Sequence, residues 1–103
     1  MPRYNPSMKF AAVIDYKSEN PKVAEVRPAH RQYLAELKEK GKLVISGPFP
    51  EKGGALIVYE AGSKDEVEAL LKADPFTTGG VFTSWVIYHW NPIFINRDLL
   101  ADV

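Results

Sequence analysis

The last apolar run constrains this chain most. From Val81 to Trp90, apolar side chains occupy both alternating sets, with Phe82, Val86, Tyr88 and Trp90 in one and Val81, Trp85 and Ile87 in the other. Side chains of a strand alternate between the two faces of its sheet, so this strand has apolar groups to bury on both. One layer of helices covers one face only, and a half-solvated antiparallel strand would show polar residues on the other. The surplus face therefore calls for a second apolar layer, most simply another copy of the chain. The expectation is a homodimer closed sheet to sheet.

The remaining elements fit around that strand. Met8 to Tyr16 reads as a buried strand, with five consecutive apolar residues from Phe10 to Ile14. Asn20-Pro21 signals a turn or a helix start. Because proline disfavours helical geometry at the residue before it but suits a first turn, Pro28 predicts a main helix from about Arg27 to Gly41, with His30, Tyr33, Leu34 and Leu37 on its core stripe. Leu43 to Ser46 is a short strand ended by Gly47-Pro48, and turn residues through Gly54 lead into a third strand, Ala55 to Glu60, as a hairpin. Ser63-x-x-Glu66 is a capping box for a second helix that ends before Asp74-Pro75. The order strand, helix, strand, strand, helix, strand predicts a ferredoxin-like α+β sandwich with a four-stranded antiparallel sheet. A length of 103 residues suits one domain, with an extension over 1–7 and a tail over 93–103.

Composition removes several function classes. Thirteen Lys+Arg balance thirteen Asp+Glu, so no net charge draws the chain to nucleic acid or anionic lipid. Cysteine is absent, which excludes disulfides and thiolate chemistry. Apolar runs of five residues are far short of a membrane span, and a cytoplasmic protein is expected. The strand order also occurs in RNA-recognition domains, but Gly54 and Leu56 stand where base-stacking aromatics are needed. Of the two histidines, His89 has no His or acidic residue at close spacing, so no metal site and no cofactor is expected.

The topology gathers scattered residues at one end of the sheet. The end of the first strand (Asp15, Tyr16), the start of the main helix (Arg27, His30), the end of the second strand (Ser46, Gly47, Pro48) and the turn before the last strand (Asp74, Pro75, Phe76) should converge. Imidazole can give or take a proton near neutral pH, so His30 suits a general base or acid, with Asp74 holding its tautomer or sharing the proton. A buried histidine satisfied by a carboxylate, beside an Asp-Pro helix end, accounts for the same residues structurally. Ser46 fits a hydrogen-bond donor to substrate; no G-x-S-x-G elbow surrounds it to make it a nucleophile. Arg27 fits an anion-binding role, or a surface pair with Glu25 or Asp15. The rings of Tyr33, Phe76 and Trp85 either line a pocket for a flat substrate or fill core.

Val26-Arg27-Pro28-Ala29-His30 with Leu34, Leu37, Gly41, Leu43 and Ser46-Gly47-Pro48, then Ala73-Asp74-Pro75-Phe76 with Gly79-Gly80-Val81-Phe82, closely resemble the YciI-like (YCII-related) family over roughly Lys9 to Pro92. The resemblance implies a dimeric α+β barrel of ferredoxin-like subunits with a His-Asp site, here His30 and Asp74 with Ser46 beside them. Most of the family has no known function; one relative is a dehydrochlorinase acting on a chlorinated hydroxyhydroquinone. The implied activity is therefore lyase or isomerase chemistry on a small aromatic or enolisable molecule, with His30 as base, Asp74 as its orienting partner, Ser46 as donor, and Arg27, Phe76 and Tyr33 as substrate contacts. The other reading, from a different class, is a ligand-binding or accessory domain without catalysis.

Overall fold

The computed structural model describes residues 7–100, so all of the 1–7 extension except Ser7 and the last three residues of the tail lie outside the described region. Four strands, β1 (Met8–Asp15), β2 (Leu43–Pro48), β3 (Ala55–Ala61) and β4 (Ser84–Trp90), form an antiparallel sheet in the order β2-β3-β1-β4. The helices are α1 (Lys22–Glu39), α2 (Lys64–Ala73) and the single turn α3 (Pro75–Thr78). This is the ferredoxin-like α+β architecture of dimeric α+β barrel subunits.

Strand alternation decides which face the helices cover. Phe10, Ala12 and Ile14 of β1, Ile57, Tyr59 and Ala61 of β3, and Ile87 of β4 are buried, and they meet Val23, Leu37, Val67 and Leu71 of the helices in one core. Each large apolar side chain so buried contributes about 1.5–3 kcal/mol. The opposite set of β4, Val86, Tyr88 and Trp90, is exposed. Phe82 does not belong to that set. It precedes β4 and is buried, because the Phe76 carbonyl accepts from the N–H groups of both Val81 (2.8 Å) and Phe82 (2.9 Å) and folds the segment inward.

Helix α1 begins at Lys22, five residues before the expected Arg27. The start signal is Asn20-Pro21: Asn20 Oδ1 accepts from the Lys22 N–H at 3.0 Å, and the Asn20 carbonyl from Val23 at 2.9 Å. Pro28 lies inside the helix, where it withholds a hydrogen bond from the Ala24 carbonyl. Ala24 and Pro28 are both exposed, so water can replace the missing donor. Gly41, at φ +73°, closes the helix with Gly41 N–H donating to the Lys38 carbonyl and Lys42 N–H to that of Leu37.

Two further details position the site. Gly54 in the β2-β3 turn has φ +81°, and a Cβ there would fall 2.3 Å from the Ile14 carbonyl oxygen, so only glycine lets this turn approach the end of β1. In β2 the register slips between Leu43, opposite Tyr59, and Ile45, opposite Val58. The extra residue is a β-bulge, which turns the following side chains over. Without it Ser46 would share the open face; with it Ser46 lies opposite Ile57, on the helix side.

Candidate active site

A cavity of about 270 Å3 opens between α1, the end of β2 and the α3 turn, with Tyr16, Arg27, His30, Ser46, Gly47, Pro48 and Phe76 in its wall. The imidazole of His30 stands at its base, with side-chain exposure of 12%. Its Nδ1 is 2.7 Å from Asp74 Oδ1, and its ring stacks on Phe76 with centroids 3.9 Å apart and planes 10° from parallel. Phe82 meets the ring edge-on at 5.9 Å. Three contacts therefore fix the orientation of this histidine.

Asp74 is fully buried between two helices, and local backbone chemistry explains its position. It ends α2 and caps α3, its Oδ1 accepting from the Phe76 N–H at 2.8 Å, with Pro75 at the first helical position, where its missing N–H costs nothing. Thr77 Oγ1 donates to the Leu71 carbonyl at 2.6 Å and clamps the same turn. With Asp74 ionised its carboxylate can only accept, so the imidazole would donate from Nδ1 and keep Nε2 as its second nitrogen. Such a ring can take a proton at Nε2 while the carboxylate behind it stabilises the resulting charge.

Below Asp74 lies Tyr59, a fully buried residue that sequence reasoning did not single out. Burial, and then the negative charge of Asp74, push its phenol well above the ordinary tyrosine range, so it stays neutral. Among the described residues, neither its hydroxyl nor Asp74 Oδ2 has a hydrogen-bond partner. At the cavity wall, burial also raises the phenol of Tyr16, an effect that the nearby Arg27 guanidinium opposes.

Of the residues expected to converge, Tyr16, Arg27, His30, Ser46, Gly47, Pro48 and Phe76 line the cavity, and Asp74 stands behind His30. Asp15 does not; it lies in a neighbouring surface depression, 3.6 Å from Lys52. No ion pair of Arg27 with Glu25 or Asp15 forms among the described residues, which leaves its guanidinium open to the cavity. Tyr33 is not in the wall: its hydroxyl donates to the Leu70 carbonyl at 2.7 Å and ties α1 to α2. Trp85 is likewise occupied, donating to Glu68 Oε1 at 3.1 Å. Arg31 was overlooked in the sequence. Spaced four residues after Arg27 and adjacent to His30, it shares the helix face that lines the cavity, and the 27/30/31 spacing was the available signal. No group of three His, Cys, Asp or Glu side chains arranged for a metal ion occurs among the described residues, and none of the helices there is long and apolar enough to cross a membrane.

Comparison with known proteins places this arrangement. The profile of the YCII-related domain matches residues 8–91, nearly the whole sheet-and-helix body. The chain belongs to the YCII-related family. Its relatives include Protein YciI of Escherichia coli and of Shigella flexneri, each 29% identical, with the match covering 67% of this chain and 81% of the relative. Among solved structures it is similar to 5-chloro-2-hydroxyhydroquinone dehydrochlorinase from Burkholderia phenoliruptrix in complex with 2,5-dihydroxybenzoquinone. That likeness has a TM-score of 0.71 and 26% identity, over 82% of this chain and 94% of that one.

Proposed function

We propose that this YCII-related protein is a small-molecule lyase that eliminates an acid HX from a hydroxylated ring, with His30 moving the proton. The observation that carries this reading is the cavity-facing imidazole held at Nδ1 by the buried Asp74 at 2.7 Å. The likeness to a dehydrochlorinase supports the reaction class.

The chemistry balances without an outside oxidant. In a ring bearing two para hydroxyls and a halogen beside one of them, that hydroxyl first becomes a ketone as its proton moves to the carbon carrying the halogen. Loss of the second hydroxyl proton then forms the other carbonyl, shifts the ring double bond, and expels halide with the carbon–halogen electron pair. The product is a quinone, and the atoms lost are H and X. His30 Nε2 takes the oxygen-bound protons and returns one to carbon, Asp74 stabilises the imidazolium, and Ser46 Oγ donates to a ring oxygen. Arg27 and Arg31 give the cavity mouth a positive character suited to an ionised ring hydroxyl, and Phe76 holds the imidazole plane. Arg27, Arg31 and the Phe76 ring in the cavity wall fit a flat anionic substrate.

The test is release of chloride and quinone from 5-chloro-2-hydroxyhydroquinone and other halogenated hydroquinones. Wild type should yield both in equal amounts, and His30→Gln and Asp74→Asn should lower the rate roughly 10²–10⁴-fold. If both variants turned substrate over at the wild-type rate, His30 would be a structural residue, and if wild type released neither chloride nor quinone from any of these hydroquinones, the elimination reading would give way to that of a binding domain. The exposed face of the sheet, with Val86, Tyr88 and Trp90, supports pairing with a second copy. Light scattering should report twice the chain mass of 11.6 kDa.

A further inference from the structure

Beyond β4 the chain continues as residues 93–100, which lie outside the stretch matched by the family profile, 8–91. Pro92 ends the strand, and after an extended stretch a short 3₁₀ turn, Arg97–Leu99, closes on hydrogen bonds from Leu99 N–H to the Asn96 carbonyl and from Leu100 N–H to that of Arg97. Five of its eight side chains are apolar and they are exposed: Ile93 81%, Phe94 95%, Ile95 66%, Leu99 77% and Leu100 41%. The sheet of its own chain leaves most of this apolar surface uncovered. Between the two lies a cavity of about 750 Å3, with Val44, Ile45 and Trp90 on the sheet side and Phe94, Leu99 and Leu100 on the other. Protein interiors close such gaps to less than a water molecule.

We propose that residues 93–100 form an arm that packs on a second copy of this chain, its apolar side chains seated against the open sheet face of that copy. The inference rests on the pairing proposed above and adds to it the part played by the tail. Area argues for this occupant. Taking roughly 150–250 Å2 for a large side chain, the bare apolar groups of the arm and the open sheet face together expose on the order of 1,000 Å2. The largest apolar patch of an ordinary monomer is about 300–600 Å2, and one side of a standard protein interface is about 800 Å2. A small apolar ligand in the cavity would leave Val86 and Tyr88, which do not line it, uncovered. A second copy covers both parts of the patch at once, because a two-fold axis sets the same surface against itself.

Absence of cysteine makes the test clean. Phe94→Cys, carrying a mass tag, is co-expressed in turn with untagged Val44→Cys, Val86→Cys and Tyr88→Cys, and the products are treated with a short bis-maleimide. A cross-linked band at the summed mass of the two different chains is expected for at least one pair. In parallel, the dimer dissociation constant is measured by sedimentation equilibrium for the full chain, for a chain ended after Pro92, and for Phe94→Asp. Both changes should raise it at least tenfold. A full-length chain that is monomeric would overturn the pairing and the arm together. A dimer equally tight with and without the arm, or one that gives no mixed cross-link while Phe94→Cys joins Val44→Cys, Val86→Cys or Tyr88→Cys when both are placed in one chain, would leave the pairing standing and overturn the arm.

Discussion

The two faces of this sheet carry similar side chains and treat them differently. On the helix side, Phe10, Ala12, Ile14, Ile57, Tyr59 and Ile87 are closed over by α1 and α2. On the other, Val86, Tyr88 and Trp90 stay in contact with water, and the bare arm extends the same surface. The closed face also holds the chemistry, since the one fully buried charged residue among those described, Asp74, lies there behind His30. A buried carboxylate needs hydrogen bonds, and of the two that Asp74 Oδ1 accepts, from the Phe76 N–H and from His30 Nδ1, the second also orients the imidazole. Folding and proposed function are thus coupled on the closed face, while the exposed positions of the open face, Val86 and Tyr88, can be altered without reaching His30 or Asp74.

That contrast can be broken by mutation. The largest expected effect is on the closed side: Asp74→Ala removes the cap of α3 and the partner of His30 together, and should cost about 3–5 kcal/mol in denaturant unfolding as well as activity. Asp74→Asn keeps an oxygen for the Phe76 N–H and should lose activity with a smaller loss of stability. Next, Ile14→Ala should cost roughly 2–5 kcal/mol, whereas Val86→Ala on the open face should change unfolding of the isolated subunit by no more than about 0.5 kcal/mol. Comparable losses at both positions would show that the open face is already packed within one chain.

Smaller effects sharpen the picture of the closed face. Tyr59→Phe removes a buried hydroxyl that has no partner among the described residues, so stability should be unchanged or higher by up to about 1 kcal/mol. A loss above 2 kcal/mol would mean that the phenol is bonded to Asp74 in solution. The least effect is expected at Glu66. Its carboxyl is held below the usual value of 4.5 by the Gly62 N–H and by Lys42. A lowered folded-state pKa gives stability that is complete above about pH 4.5 and is lost as pH falls through the folded value. Glu66→Gln should therefore be less stable than wild type near pH 7, by about 0.5 kcal/mol for so exposed a pair, and the difference should vanish in acid.

Much of this arrangement was legible in the sequence, because periodicity and turn chemistry are local. The four strands follow from apolar runs and turn residues, the α2 cap from Ser63-x-x-Glu66, and the gathering of Arg27, His30, Ser46 and Asp74 at one end from the element order. The cap itself differs in one bond: Ser63 Oγ accepts from the Glu66 N–H, but Glu66 reaches back to Gly62 and not to Ser63. What was not legible depends on competition between signals or on register. Pro28 outweighed Asn20-Pro21 in the sequence, although an exposed helix face tolerates an internal proline, and the first turns of α1 were lost. The bulge after Leu43 has no composition signature, yet it decides that Ser46 faces the site. Helix α3 is a single turn that exists because Asp74 caps it, so it could not be read from periodicity.

The central claim is that Asp74 holds His30 with Nδ1 protonated and Nε2 free to meet a ring substrate, and nitrogen NMR of the imidazoles tests it most directly. The chain has only two histidines, and His89 on the exposed end of β4 serves as an internal reference. At neutral pH, long-range 15N–1H correlations should show a protonated Nδ1 and an unprotonated Nε2 for His30, with Nε2 shifting on addition of 2,5-dihydroxybenzoquinone while His89 stays in place. A proton resident on Nε2, or a bound quinone that leaves the His30 resonances unmoved, would contradict the account.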